Sequence, residues 1–178
     1  AEYLAETIHR VFNHAVVERQ ARQDCLTQLA NRRIFDSTIL EVLRNCRKNG
    51  TCCSLLLFDL DHFKPINAEG GHALGDEMLR RIAQIVAWEV RRSDHVARQG
   101  GDEFAVLLPS CTLGQAERIA ESLRQSVSEV TVTHEGKEYS VTLSIGVTTF
   151  DECDETVDVA ISRADAASYE AKGEGRDA

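Results

Sequence analysis

Long apolar runs are missing from this 178-residue chain. No stretch approaches the roughly 18 to 20 apolar residues that span a bilayer, and the amino terminus lacks a basic segment followed by an apolar one. The sequence therefore predicts neither a spanning helix nor a secretory leader, and reads as cytoplasmic or as the cytoplasmic part of a larger, membrane-anchored protein. A C-x-x-C pair is missing too. The six cysteines, Cys25, Cys46, Cys52, Cys53, Cys111 and Cys153, follow neither zinc-site nor disulfide-framework spacing, which leaves buried reduced thiols. Positive charge is in deficit: 20 Lys and Arg against 29 Asp and Glu give a formal net charge of −9. That balance argues against a nucleic-acid polymer as partner, while a small phosphorylated ligand held by local lysines, arginines or metal ions is still allowed.

What is present suits one well-packed domain with a single core: 43% of residues are hydrophobic and 28% charged. Residues 1 to 23 carry Leu4, Ile8, Val11 and Ala15 at near-heptad spacing, without glycine or proline. They predict a helix that either projects as a connector or packs on its own domain. Residues 31 to 48 predict a second helix, with Ile34, Phe35, Ile39, Leu43 and Cys46 on one side, and "CCSLLLFDL" after Gly50 predicts a buried strand. "DEMLRRIAQIVAWEVRR" predicts a helix, and "HVARQGGDEFAVLL" predicts two strands around a double glycine. A capping box, Thr112 to Gln115, opens the next helix. Residues 129 to 149 predict a hairpin turning at "EGKE", and about 156 to 171 a last helix. In order, the middle of the chain gives β-α-β-β-α-β. The fold class is α+β, a palm-like, ferredoxin-type core packing helices on one sheet face, with an N-terminal helix and an extra C-terminal hairpin.

Carboxylates gather where the chain leaves its core. Asp59 and Asp61 end one strand, and Asp102 and Glu103 follow the double glycine. Strand ends and tight turns hold exposed side chains rigidly. If the two ends lie side by side, the carboxylates repel one another unless a hard cation such as magnesium sits between them. Such ions, with positions open to phosphate oxygens, serve displacement at phosphorus. The plainer alternative is solvated charge at a strand end. Two successive glycines weigh against it, because glycine supplies positive φ or room for a bulky ligand.

Six ordered blocks carry a resemblance: "DCLTQLANRR" (24 to 33), "FDLDHFKPIN" (58 to 67), "GHALGD" (71 to 76), "RQGGDEF" (98 to 104), "SIGVTTF" (144 to 150) and "AKGEGR" (171 to 176). The chain resembles the GGDEF-domain diguanylate cyclases, which condense two GTP into cyclic di-GMP and release two pyrophosphates. The resemblance implies a connector helix over 1–23, a catalytic domain over 24–178, and two Mg2+ per site, with Mn2+ as a substitute. It implies Asp59, the Leu60 carbonyl, Asp102 and Glu103 as metal ligands, with Glu103 alternatively the proton acceptor for the 3′-hydroxyl. Asn67 and Asp76 would read guanine, since a carboxylate accepts from both N1–H and the exocyclic amine; Asp76 could instead cap the following helix. His72 would line or support that pocket. Lys64, Lys172 and Arg176 would meet the phosphates. Asp61 has no family role and reads more readily as structural than as a ligand.

"RRSD" (91 to 94) stands five residues before Gly100, where the family binds its own product for inhibition; Arg91 and Asp94 would be the core of that site. By itself R-x-x-D is most often a surface ion pair. The chain departs from the family at Ala68, Ser168 and Asp177, where Asp, a larger apolar residue and Asn are usual. Ala68 loosens the turn presenting Asn67, and Pro65 partly stiffens it. The implied partners are GTP, cyclic di-GMP, a second copy of the chain to close the product ring, and an upstream sensory or regulatory domain. A catalytically silent domain that binds GTP or cyclic di-GMP is the alternative function.

Overall fold

Two capping residues set the limits of the first helix. The Asn31 side chain accepts from the Ile34 N–H at 3.1 Å, and Gly50, at φ 62°, closes the other end by donating to the Cys46 and Arg47 carbonyls. The computed structural model describes residues 21–150, 157–173 and 177. Its elements are β1 (Ala30–Asn31), α1 (Arg32–Asn49), β2 (Cys53–Leu60), α2 (Phe63–Glu89), β3 (His95–Gly100), β4 (Glu103–Pro109), α3 (Leu113–Ser128), β5 (Val132–His134), β6 (Lys137–Tyr139), β7 (Leu143–Phe150) and α4 (Val157–Gly173).

The main sheet runs β1-β3-β4-β2-β7, antiparallel except for the short parallel β1–β3 pair. Because α2 joins β2 to β3 and α3 joins β4 to β7, the expected βαββαβ palm is present. Strand alternation sorts the core into two layers. Leu56, Phe58, Phe104, Val106 and Leu108 meet Met78 of α2 and Leu123 of α3 on one face. On the other face, Leu55, Ala105 and Leu107 meet Phe35 and Ile39 of α1 and Ala164 of α4. The two crossover helices thus share a face as expected, and α1 and α4 cover the opposite one. Phe58 and Phe104, paired across β2 and β4, stack at 5.6 Å between centroids.

Helix α2 begins earlier than its apolar period suggests. Pro65 falls in the first turn, where its missing N–H costs nothing, and the helix passes through a non-helical residue, Gly71 (φ 74°, ψ 172°). Trp88, counted in the apolar pattern of this helix, is 89% exposed. "EGKE" turns as expected through Glu135 and Gly136, both at positive φ, but the hairpin it makes is the separate β5–β6 pair. The following strand, β7, joins the main sheet beside β2. The expected helix over 1–23 lies outside the described residues except at its end, where residues 21 and 22 are helical. Cys46, Cys53 and Cys111 are buried free thiols, Cys52 is half-buried, Cys25 is exposed, and Cys153 lies outside the described residues.

Candidate active site

Asp59 and Glu103 stand directly opposite each other across the β2–β4 ladder. An antiparallel pair puts opposed side chains on one face, here the face covered by α1 and α4. Asp102 lies in the turn between β3 and β4. Both glycines of that turn need conformations that side chains avoid: Gly100 has φ 145° and Gly101 φ 55°. No atom beyond their chain neighbours lies within 4 Å of where a Cβ would stand on either. Backbone conformation is therefore what selects glycine here.

Burial pushes the Asp59 carboxyl above its ordinary range. The Lys172 ammonium, donating to Asp59 Oδ2 at 2.7 Å, pulls it back down, while the charges of Asp102 and Asp61 raise it again. The carboxylates therefore crowd one end of the sheet, with Lys172 of α4 as a local counterion. Asp61 is 3% exposed and is held by the Thr142 and Ser144 hydroxyls, each at 2.8 Å, and by the Asp177 N–H at 3.1 Å. That bonding ties β2 to the start of β7 and gives Asp61 a structural place. Asp177 in turn accepts from Arg124 of α3 at 2.6 Å.

The turn itself is clamped. Arg98 donates twice to the Gly101 carbonyl, at 2.9 and 2.6 Å, and once to Asp24 Oδ1 at 3.1 Å. Burial alone would raise Asp24, but the Thr27 hydroxyl and N–H and the Arg98 guanidinium outweigh it and hold the carboxyl below its ordinary range. The sequence alone does not single out Arg98. Its place beside the double glycine was the available signal.

Lys64 is exposed on the first turn of α2, and His72 is exposed just after Gly71. The bend at Gly71 folds Asn67 against Gly75: a Cβ at Gly75 would lie 2.0 Å from Asn67 Oδ1. Asn67 is thereby seated beside the residue preceding Asp76. Asp76 stands five residues past the bend, inside the resumed helix, which removes the capping alternative for it. Arg176 lies outside the described residues. Asp94 accepts from the Arg91 N–H at 2.8 Å and closes the turn ahead of β3. Arg91 shares a cavity of about 250 Å³ with Arg118 of α3, a residue the sequence alone did not single out.

The chain also matches known proteins. The family model described as "Diguanylate cyclase, GGDEF domain" matches residues 21–178. The chain belongs to this family. Diguanylate cyclase A of Treponema denticola is 34% identical over 98% of this chain and 48% of its own length. The response regulator PleD of Caulobacter vibrioides is 41% identical over 87% of this chain and 35% of its own. The chain thus spans about half or less of these curated relatives. Among solved structures, the coiled coil and GGDEF domain of DgcB from Caulobacter crescentus, in complex with c-di-GMP, superposes with a TM-score of 0.89 at 30% identity, covering 99% of this chain and 93% of that one. This GGDEF domain accordingly has the palm fold of its relatives.

The expected ligands have the chemistry a hard divalent cation requires. Asp59, Asp102, Glu103 and the Leu60 carbonyl offer oxygen only. Among the described residues no three His, Cys, Asp or Glu side chains stand together so as to hold a metal ion. Magnesium is commonly bound by one or two carboxylates together with substrate phosphates, which suits so sparse a set.

Proposed function

We propose that this GGDEF domain is the catalytic part of a diguanylate cyclase, converting two GTP into cyclic di-GMP and two pyrophosphates. The observation that carries the reading is the opposed pair Asp59 and Glu103 with Asp102 in the adjoining turn. Asp59, Asp102, Glu103 and the Leu60 carbonyl would hold two Mg2+, with Mn2+ able to substitute; these ions, when bound, polarise the phosphate and offset the charge of the leaving group.

The protein's own groups then divide the remaining work. Asn67 and Asp76 hold the guanine edge, with His72 beside them. Lys64, Lys172 and Arg176 balance triphosphate charge, and for this Lys172 exchanges Asp59 for phosphate oxygens. Glu103 takes the proton as the 3′-oxygen bonds to the α-phosphorus and the bond to the β-phosphate oxygen breaks. One protomer holds one GTP, so two protomers face each other and the displacement occurs twice. Arg91 and Asp94, with Arg118 alongside, form a site where cyclic di-GMP restrains the enzyme.

Incubation with GTP and Mg2+, followed by chromatography, should yield cyclic di-GMP and pyrophosphate. Replacing both Asp102 and Glu103 with Ala should lower the rate by at least about 100-fold with the circular dichroism spectrum preserved. Undiminished synthesis by that variant would remove these carboxylates from the mechanism. GTP binding by the unaltered protein without any product would instead mark a silent binding module.

A further inference from the structure

Gln99 is the extra residue of a β-bulge. The β3–β4 register steps from Arg98 opposite Phe104 to Gly100 opposite Glu103, which sets Gln99 and Gly100 together against Glu103. A bulge re-aims side chains, and this one brings Gln99 to the wall of a cavity of about 550 Å³ that Asp59, Glu103 and Lys172 also line. The inward wall of that cavity, formed by Phe35, Ile39 and Leu55, is closed core. What an incoming molecule meets is therefore the polar rim at the end of the sheet.

Gln99 and Glu103 ask for opposite things at that rim. The amide nitrogen Nε2 of Gln99 is shielded from solvent and has no hydrogen-bond partner among the described residues. A buried donor left unpaired is costly, and an acceptor brought to it removes that cost. The terminal torsion of glutamine is soft, so the amide can turn toward such an acceptor. Glu103 is exposed, and its ionised carboxylate only accepts. An anion would suit the amide and be repelled by the carboxylate; an ammonium would do the reverse. A hydroxyl answers both, because it accepts from an amide and donates to a carboxylate at once.

In the cyclase reading, on which this inference rests, one hydroxyl comes to Glu103: the 3′-hydroxyl of the GTP on the facing protomer. The geometry points to Gln99 as a further catalytic residue, the donor that grips this 3′-oxygen while Glu103 receives its proton. One lone pair of the oxygen is then held by Gln99, the proton lies toward Glu103, and the other lone pair is left for the α-phosphorus. Such a grip raises the share of bound nucleotide in the attacking geometry. It also steadies the negative charge that grows on the oxygen as the proton leaves.

The test compares two nucleotides that cannot complete the reaction. Guanosine 5′-[α,β-methylene]triphosphate keeps the 3′-hydroxyl, and its 3′-deoxy counterpart lacks it. Each is titrated with Mg2+ into the protein at concentrations where it is dimeric by sedimentation. Affinity is read by calorimetry, and the Gln99 side-chain amide is followed by 1H–15N NMR. The hydroxyl-bearing nucleotide should shift that amide, and the deoxy form should leave it nearly in place. Gln99→Met should weaken the first nucleotide about 3- to 10-fold, the worth of one neutral hydrogen bond, and leave the second unchanged. With GTP, the same variant should lose about 3- to 10-fold in kcat while KM moves little. The resonance comparison needs no variant and decides the matter if Gln99→Met does not fold. An amide that responds alike to both nucleotides would overturn the inference, and so would an equal loss of affinity for both in Gln99→Met, the sign of a merely structural side chain. Either result from a protein that makes cyclic di-GMP would leave the cyclase reading standing. A protein that binds neither nucleotide and makes no product would overturn that reading and this inference with it.

Discussion

Asp24 and Asp59 are displaced in opposite directions, and the difference shows which of them supports the fold. Asp24 is held low by Thr27 and Arg98 against the effect of its own burial. A carboxyl whose folded-state pKa lies below its unfolded value of about 3.8 contributes stability that is present in full above that value and fades as pH falls through the folded one. Asp24→Asn should therefore cost about 1 to 3 kcal/mol at pH 7, and the deficit should shrink as urea unfolding is repeated from pH 5 toward pH 2. A deficit independent of pH would place the stabilisation in shape rather than charge. Asp59, raised chiefly by burial, shows the reverse sign: its ionised form subtracts from stability as pH climbs from 3.8 through its higher folded value. The carboxylates at the strand end and turn were legible in the sequence because charge beside an apolar strand is conspicuous. Arg98 and Arg118 were not, since a single arginine has the look of solvated charge and the carboxylate partner of Arg98, Asp24, lies 74 positions away.

Among the elements, α2 shows most clearly how function bends a helix. From the sequence, this helix is expected only from Asp76, because the stretch before it carries Pro65, Gly70 and Gly71 and little apolar periodicity. The structure continues helical from Phe63 and turns at Gly71, and Asn67 packs against Gly75 across the bend. Gly75→Ala places a methyl carbon on the Asn67 amide. It should raise KM for GTP about 10-fold, the worth of roughly one hydrogen bond, while kcat moves less. An equal fall in kcat alone would detach Asn67 from substrate binding. Helices α1 and α3 were readable through their apolar stripes, and α3 through its capping box as well. The hairpin at "EGKE" was readable from its turn. Where its second strand stopped was not, because residues 140–142 interrupt the ladder without any glycine or proline to announce it.

At the scale of the whole molecule, the βαββαβ order was evident from alternating strand and helix signals, but the covering of both sheet faces was not. Periodicity reveals that α1 and α4 bury a stripe, not which side of a sheet receives it. The proposed chemistry imposes its own order at this scale, since one domain with one GTP cannot close a two-nucleotide ring. The rate per protomer should therefore rise in proportion to protein concentration, about 10-fold per 10-fold dilution reversed, wherever the protein is monomeric by sedimentation. A rate per protomer that stays constant across that range would contradict the paired arrangement.

Strand β2 carries Asp59 and is laced to β4 on one side and β7 on the other along nearly its whole length. It cannot slide or tilt without unzipping two ladders at once. Asp59 therefore behaves as an anvil, and any travel during the reaction cycle falls to the lighter parts around it, above all to Lys172 on its long, flexible stem.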